Sequence, residues 1–302
     1  MSTASRSSMS GLLLAIAGAI GFSGKAIIVK LSYRYGVDAV TVIMYRMLFA
    51  LPFFIALGLW AERSTHARDN PLTRTDWLRI VVLGFVGYYL SSYLDFLGLQ
   101  YISASLERLI LYLNPTLVLL LGWVFYKKTI SPIRALAMAV SYGGVLLVFG
   151  HEVTLAGSDV VLGGVLVLGS AISYALYLLY SGQWVTHIGS MRLVGWATSV
   201  ACLCCIAQFV LLRPFSAADV PTEVLELAVL NASLCTVAPV LMVMMAIERI
   251  GAGLAAQTGM IGPMSTIAMG VWLLDEPMNV WIGAGTLLVL SGVFLVSKYG
   301  AK

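Results

Sequence analysis

The chain has 302 residues, 60% of them hydrophobic and 11% charged, with a formal net charge of +4 and a mean hydropathy of +0.94. Soluble domains carry roughly 25% charged residues, so this composition excludes an ordinary soluble fold and points to a membrane protein. The positive balance does not imply nucleic acid as a partner, because the basic residues are scattered through short turns between apolar runs rather than gathered into one patch.

Ten apolar runs are read in chain order, at 11–31, 39–60, 78–99, 102–126, 132–149, 160–181, 192–212, 224–246, 252–274 and 281–297. As helices, such runs suffice to cross a ~30 Å hydrocarbon core; barrel strands would be about ten residues long and alternating. The expected fold is all-α. The polar tail MSTASRSSMS is not a transit peptide, and the run behind it is too long for a signal h-region, so it is expected to stay as helix 1.

Helix 1 carries Lys25, helix 2 Arg46, helix 3 Asp95, and helix 4 the pair Glu107-Arg108. Charges in hydrocarbon are costly and usually face a cavity or a partner. Two readings stand: an Asp95–Arg108 ion pair locking helices 3 and 4 together, or a site where Arg108 or Lys25 orients a substrate carboxylate while Asp95 or Glu107 receives its ammonium. Snorkelling toward the interface is a further explanation for Lys25. Helix 3 also offers Tyr89 and Tyr93 at i, i+4, and helix 4 sets Arg108 and Tyr112 at the same spacing before Asn114-Pro115. On helix 6, Ser170, Tyr174, Tyr177 and Ser181 form one polar-aromatic stripe, and on helix 9 Gly253, Gln257, Met260 and Met264 share a side. Stripes of this kind converging from several helices would make one amphipathic cavity for a small ligand, with ordinary helix packing as the competing explanation. The cysteines (Cys202, Cys204, Cys205, Cys235) fall inside apolar runs with no histidine nearby, which reads as buried, inert thiols and no metal site. Pro239 interrupts helix 8, and Gly262-Pro263 interrupts helix 9. A proline removes a backbone donor and bends a helix, so Asn114, Pro115, Pro239, Gly262 and Pro263 are the expected hinges.

With the N-terminus in the cytoplasm, twelve basic residues lie inside (Arg6, Arg63, Arg68, Arg74, Arg79, Lys127, Lys128, Arg134, Arg192, Arg249, Lys298, Lys302) and three outside (Lys30, Arg34, Arg213). The positive-inside rule then puts both termini in the cytoplasm.

Sliding the chain against itself by 148 residues lays YISASLERLILYLNPTLVLLLGWVF over RIGAGLAAQTGMIGPMSTIAMGVWL without a gap. Matched apolar residues mean little, but Pro115/Pro263, Gly122/Gly270 and Gly144-Val145/Gly292-Val293 also coincide. A weaker match sets AIGF (19–22) over AISY (171–174). The chain thus reads as two five-helix repeats, 1–150 and 151–302, linked at 150–159. Five is odd, so the second repeat enters the membrane from the opposite side. That inversion accounts for Lys127-Lys128 after helix 4 becoming Asp275-Glu276 after helix 9.

The stretches LQYISASLERLILYLNP and AIERIGAGLAAQTGMIGP, each followed by a helix ending GGVLLV or SGVFLV, resemble the drug/metabolite transporter superfamily. Within it the chain is similar to ten-helix EamA-type exporters, and most of all to the aromatic and neutral amino-acid exporters of the YddG kind. The resemblance implies a secondary transporter of the inner membrane that works by alternating access and exports amino acids or similar small metabolites. Nucleosides or amphipathic drugs are the alternative cargo. Many members carry Gly-Glu after helix 4, where this chain has Lys127-Lys128; the acidic residue is kept only as Glu276, and its expected role is topological. Small multidrug relatives use a helix-1 glutamate for cations, where this chain has Lys25, which argues against a cationic-drug pump. The expected binding residues are Lys25, Tyr89, Tyr93, Arg108, Tyr112, Tyr174, Tyr177, Ser181, Gln257 and Met260.

Enzymatic and ATP-driven classes find no support. Gly24-Lys25 lies in a membrane helix and lacks the rest of a P-loop, the three histidines (His66, His151, His187) are expected in loops, and no HExxH or GxSxG is present. No cofactor and no ATPase subunit are expected, and the partners are a small-molecule substrate and membrane lipid.

Overall fold

The computed structural model describes residues 3–127 and 129–299; Lys128 and Lys302 of the basic set lie outside it. Every regular element among these residues is helical: α1 (Thr3–Tyr33), α2 (Ala39–Ala61), the short α3 (Thr65–Asp69), α4 (Arg74–Gly84), α5 (Ser91–Gly98), α6 (Ala104–Leu111), α7 (Asn114–Tyr126), α8 (Pro132–Ala156), α9 (Asp159–Ile188), α10 (Ser190–Leu212), α11 (Thr222–Ala232), α12 (Ala238–Thr258), α13 (Ile261–Leu274) and α14 (Val280–Tyr299). π-helical segments join α4 to α5 (Phe85–Leu90) and α11 to α12 (Ser233–Val237).

Eight stretches among the described residues are long and apolar enough to cross a membrane, and two shorter apolar helices, Ile261–Leu274 and Val280–Val296, accompany them. The expected ninth span is shorter because its chain breaks at Gly259-Met260, and its first turns continue α12 past Gly251, whose φ of 79° departs from the helix. The expected ten-residue link at 150–159 contracts to Gly157-Ser158, since α8 runs on to Ala156 and α9 begins at Asp159. None of the three histidines is in a loop: His66 lies in the short α3, His151 six residues from the end of α8 counted inclusively, and His187 in the last turn of α9.

Local sequence sets the helix starts. Ser64, Ser103 and Ser131 cap α3, α6 and α8 by accepting a backbone N–H, and Thr73 with Asp76 forms a reciprocal capping box on α4. Asp38 caps α2, its carboxylate accepting from Val40 N at 2.9 Å, Thr41 Oγ1 at 2.8 Å and Arg213 Nη2 at 3.1 Å. Burial pushes this carboxyl upward, but those bonds outweigh it and hold it below the usual carboxylate range.

Three backbone features repeat at the spacing of the sequence match. The π segments begin at Phe85 and Ser233, a difference of 148. α7 ends at Lys127 (φ 51°) and α13 at Asp275 (φ 60°), again 148 apart, and these N–H groups donate to the carbonyls of Gly122 and Gly270. They are the positive-φ residues other than glycine in the described chain. Where α8 crosses α14, a Cβ on Gly144 would stand 2.7 Å from the Gly285 carbonyl oxygen, and one on Gly292 would stand 2.5 Å from that of Ala137. The two backbones touch without intervening side chains, which explains the paired glycines of the sequence.

The turns gather at two ends of the bundle. At the end where α1 begins, Arg192 meets the Glu62 carboxylate at 2.9 Å and His187 approaches Asp76 at 3.4 Å. At the far end, Arg213 meets Asp38 and Arg34 donates to the Leu274 carbonyl at 2.9 Å.

Candidate functional site

A cavity of about 460 Å³ lies among α1, α5, α6, α7 and α9. The size falls in the ~300–1,000 Å³ range of small-molecule sites. Phe22 and Lys25 reach it from α1, Arg46 from α2, Ser91, Ser92 and Asp95 from α5, and Ser170 and Tyr174 from α9. Two broken helices also open onto it. Between α6 and α7 the chain leaves the helix at Tyr112-Leu113, and before α13 it does so at Gly259-Met260. Leu111, Tyr112, Asn114, Pro115, Gly259 and Met260 all line the cavity.

The charges around it form an uneven set. Lys25 Nζ lies 2.5 Å from Asp95 Oδ2 and 3.3 Å from Glu107 Oε1, so one ammonium serves two buried carboxylates. The expected Asp95–Arg108 ion pair does not form; α1 inserts Lys25 between them and takes both acids. Arg108 instead donates from Nη2 to Ser23 Oγ at 3.2 Å, and its Nε is buried without a partner. A Cβ on Gly262 would stand 2.8 Å from that Nη2, so the glycine leaves room for the guanidinium. Arg46 is 8% exposed, donates from Nε to Thr236 Oγ1 at 3.0 Å, and lies 5.2 Å above the Phe96 ring, while its Nη1 has no partner. Buried polar atoms are normally satisfied, so this concentration of unpartnered groups at one cavity marks it as a site.

The tyrosines divide. Tyr112 and Tyr174 line the cavity. Tyr177 is buried behind it, its ring pressed on Gly87 and its hydroxyl accepting from Tyr88 at 3.2 Å. Tyr89 and Tyr93 stack on each other at 6.5 Å and do not line the cavity, Tyr93 packing beside Val40, Met44 and Phe209. The reason is the helix face: Tyr88, Ser91, Ser92 and Asp95 recur at i, i+3, i+4 and i+7 and meet the cavity together, whereas Tyr89 and Tyr93 share a neighbouring face. Ser181 donates to its own helix, at the Leu178 carbonyl, away from the cavity. Lys25, Arg108 and Met260 line it, and the Gln257 side chain lies outside the described residues.

Of the expected hinges, Asn114 and Pro115 open α7, Gly262 and Pro263 lie in the first turn of α13, and Pro239 opens α12 directly after its π segment. Pro115 and Pro263 start helices after a break, where a missing N–H removes no bond, whereas Pro239 lies inside a continuous helix and follows its π segment. Arg46, Tyr88, Ser91, Asp95 and Ser170 complete the lining beyond the expected set. The charge of Arg46 and Asp95 within apolar runs, the helical spacing of Tyr88 and Ser91 from Asp95, and the place of Ser170 on the helix-6 stripe were the available signals.

A second hollow, of about 540 Å³, lies at the far end between Lys30, Ser103, Glu152 and Glu276. There Glu276 accepts from Ala104 N at 2.7 Å, Ser105 N at 3.2 Å and Ser105 Oγ at 2.8 Å, clamping the N-terminus of α6. Lys30 donates to the Ile102 carbonyl at 2.6 Å, and Ser103 donates to Glu152. The expected topological role of Glu276 is therefore joined by a structural one, because the positive end of a helix favours an anion.

An apolar helical bundle around a charged, aromatic-lined hollow is the form of a membrane protein that handles a small solute. The profile of the EamA-like transporter family matches residues 9–150 and again residues 161–298, and the chain belongs to that family. It is 30% identical to the uncharacterized transporter YcbK of Bacillus subtilis (strain 168), over 96% of this chain and 92% of that protein. An uncharacterized transporter of Archaeoglobus fulgidus is 22% identical over 95% and 96% of the two chains. The WAT1-related protein At4g08300 of Arabidopsis thaliana is 22% identical, over 93% of this chain and 83% of its own. A solved crystal structure aligns with 97% of the chain and 99% of its own at a TM-score of 0.62 and 14% identity, a likeness of fold. The protein is thus a multi-pass membrane transporter, and its expected partner is a small molecule.

Proposed function

We propose that the protein is a secondary transporter of the inner membrane, with both termini cytoplasmic, that exports amino acids or similar small metabolites by alternating access. In this reading ten helices form two inverted repeats, 1–150 and 151–302, around the central cavity. The observation that carries it is the pair of broken helices meeting at one charged hollow, at Tyr112-Leu113 and Gly259-Met260. Breaks of this kind in corresponding parts of two halves mark transporter binding sites. The matched π segments and left-handed helix ends support the repeat, as does the double family match. A counterflow screen of the common amino acids and several nucleosides in proteoliposomes tests the reading. Saturable exchange of an amino acid sustains it; exchange of nucleosides alone moves the cargo to the alternative class, and no exchange rejects both cargoes.

Orientation is tested independently. Cysteines placed at Ser158 and Asn279, both at turns of the far end, are expected to react with an impermeant thiol reagent in intact cells. Protection of both, with labelling at Asn70, reverses the topology.

The gate is assigned to the two breaks. Pro115→Ala and Pro263→Ala each restore a backbone donor that can extend the following helix back through the break. Both substitutions are expected to slow flux more than they weaken substrate binding, and to bias cavity accessibility toward opposite faces. Wild-type flux and unshifted accessibility in both variants would place the gate elsewhere.

A further inference from the structure

We infer that this cavity recognises its substrate by the carboxylate: Arg46 and Arg108 bind the carboxylate of a small acid with an apolar or aromatic body, and an amino group on that acid is dispensable. The inference rests on the reading of the cavity as the transport site.

The charge inventory carries it. Of the three cations at the cavity, Lys25 is held by Asp95 and Glu107 together. Neither guanidinium meets a carboxylate within ion-pair distance among the described residues, and each keeps a buried nitrogen without a partner. Three cations against two carboxylates leave a formal charge of +1: the two arginines carry +2, and the Lys25 cluster carries −1, centred on Glu107, which is fully buried and does not line the cavity. A guanidinium offers several fixed donors suited to a carboxylate, and an unpaired one in a low-dielectric cavity draws an anion strongly. No equivalent vacancy for an ammonium opens on the cavity, because the unpartnered oxygens of Glu107 lie behind Lys25 and not in the lining. Asp95 Oδ1 faces the same region without a partner, but its charge is already matched by Lys25 at 2.5 Å. It can accept one hydrogen bond from an amino or hydroxyl group; it does not demand a cation. Phe22, Tyr112, Tyr174 and Met260 supply a wall for the apolar body.

The test measures binding to the full-length protein in detergent for two matched series. The first is 3-phenylpropanoate, L-phenylalanine and phenethylamine; the second is 4-methylpentanoate, L-leucine and isopentylamine. The acid and the amino acid of the responding series are expected to bind within about tenfold of each other, and the amine roughly a hundredfold or more weaker, as for a site built around one polar group. Arg108→Gln and Arg46→Gln, checked for folding by size-exclusion profile and thermal unfolding, are expected to erase the preference of acid over amine. An amino acid bound a hundredfold tighter than its deaminated acid, or an amine bound tighter than either, overturns the inference, as does an unchanged acid-to-amine ratio in both folded variants. Binding by no member of either series overturns it too, while the wider flux screen still decides transport separately.

Discussion

Lys25→Met is expected to destabilise the folded protein by about 3–5 kcal/mol, the usual effect of removing one partner from a buried ion cluster. The ammonium lies 2.5 Å from Asp95 and 3.3 Å from Glu107, and neither acid has another cationic neighbour within ion-pair distance among the described residues. Without Lys25, two carboxylates whose side chains are 3% and 0% exposed are left without a cation, and the loss of attraction is compounded by their mutual repulsion. Thermal unfolding in detergent reads the effect. The triple variant Lys25→Met, Asp95→Asn, Glu107→Gln is expected to recover most of the loss, because neutral amides of the same shape remove the stranded charges. A single variant as stable as the parent would show that the cluster is hydrated and not a closed ion triad.

Glu276→Ala is expected to unfasten the far end. Its carboxylate accepts three hydrogen bonds at the start of α6, and bonds to a charged group contribute roughly 1.5–3 kcal/mol net. Loss of even one such contribution alters an open-to-closed equilibrium by about tenfold or more. In a Cys204→Ser background, a cysteine replacing Ser91 in the cavity should react with an impermeant maleimide in intact cells at least that much faster when Glu276 is Ala. Glu276→Gln, which keeps an acceptor but no charge, should fall between. Equal rates in all three would mean that Glu276 caps α6 without influencing access.

The helical bundle was legible because nothing in the sequence competes with it: the apolar runs are long and their polar gaps short. The breaks at Tyr112 and Met260 were legible through the prolines that follow them. Less visible was the face that α4–α5 turns to the cavity. Tyr89 and Tyr93 were read for their i, i+4 pairing, although Asp95 marks the neighbouring face, which holds Tyr88 at i−7 and Ser91 at i−4. Ion pairing was ambiguous for another reason. Asp95 and Arg108 lie on helices joined by one turn, whereas the chosen partner, Lys25, is 70 residues from Asp95, and only the packing of α1 decides between them. A longer separation hid the role of Glu276, whose contact with Ser105 spans 171 residues. The stretch 150–159 was read as a link between the repeats, but α8 runs on to Ala156, and Glu152 in its penultimate turn accepts from Ser103, the cap of α6.

The glycine crossing of α8 and α14 bears on how such a molecule can move. With carbonyl oxygens only 2.7 and 2.5 Å from where a Cβ would sit, neither helix can roll or slide on the other without driving backbone into backbone. A second crossing of this kind joins α2 and α10, where a Cβ on Gly195 would lie 2.6 Å from the Gly58 nitrogen. Further seams join α4 to α10, where a Cβ on Gly84 would lie 2.4 Å from the Ala197 carbonyl oxygen, and α5 to α9, where one on Gly98 would lie 2.9 Å from that of Gly163. These seams act as axles in the proposed transport cycle, and the thickness of each is expected to be the same whichever way the cavity faces.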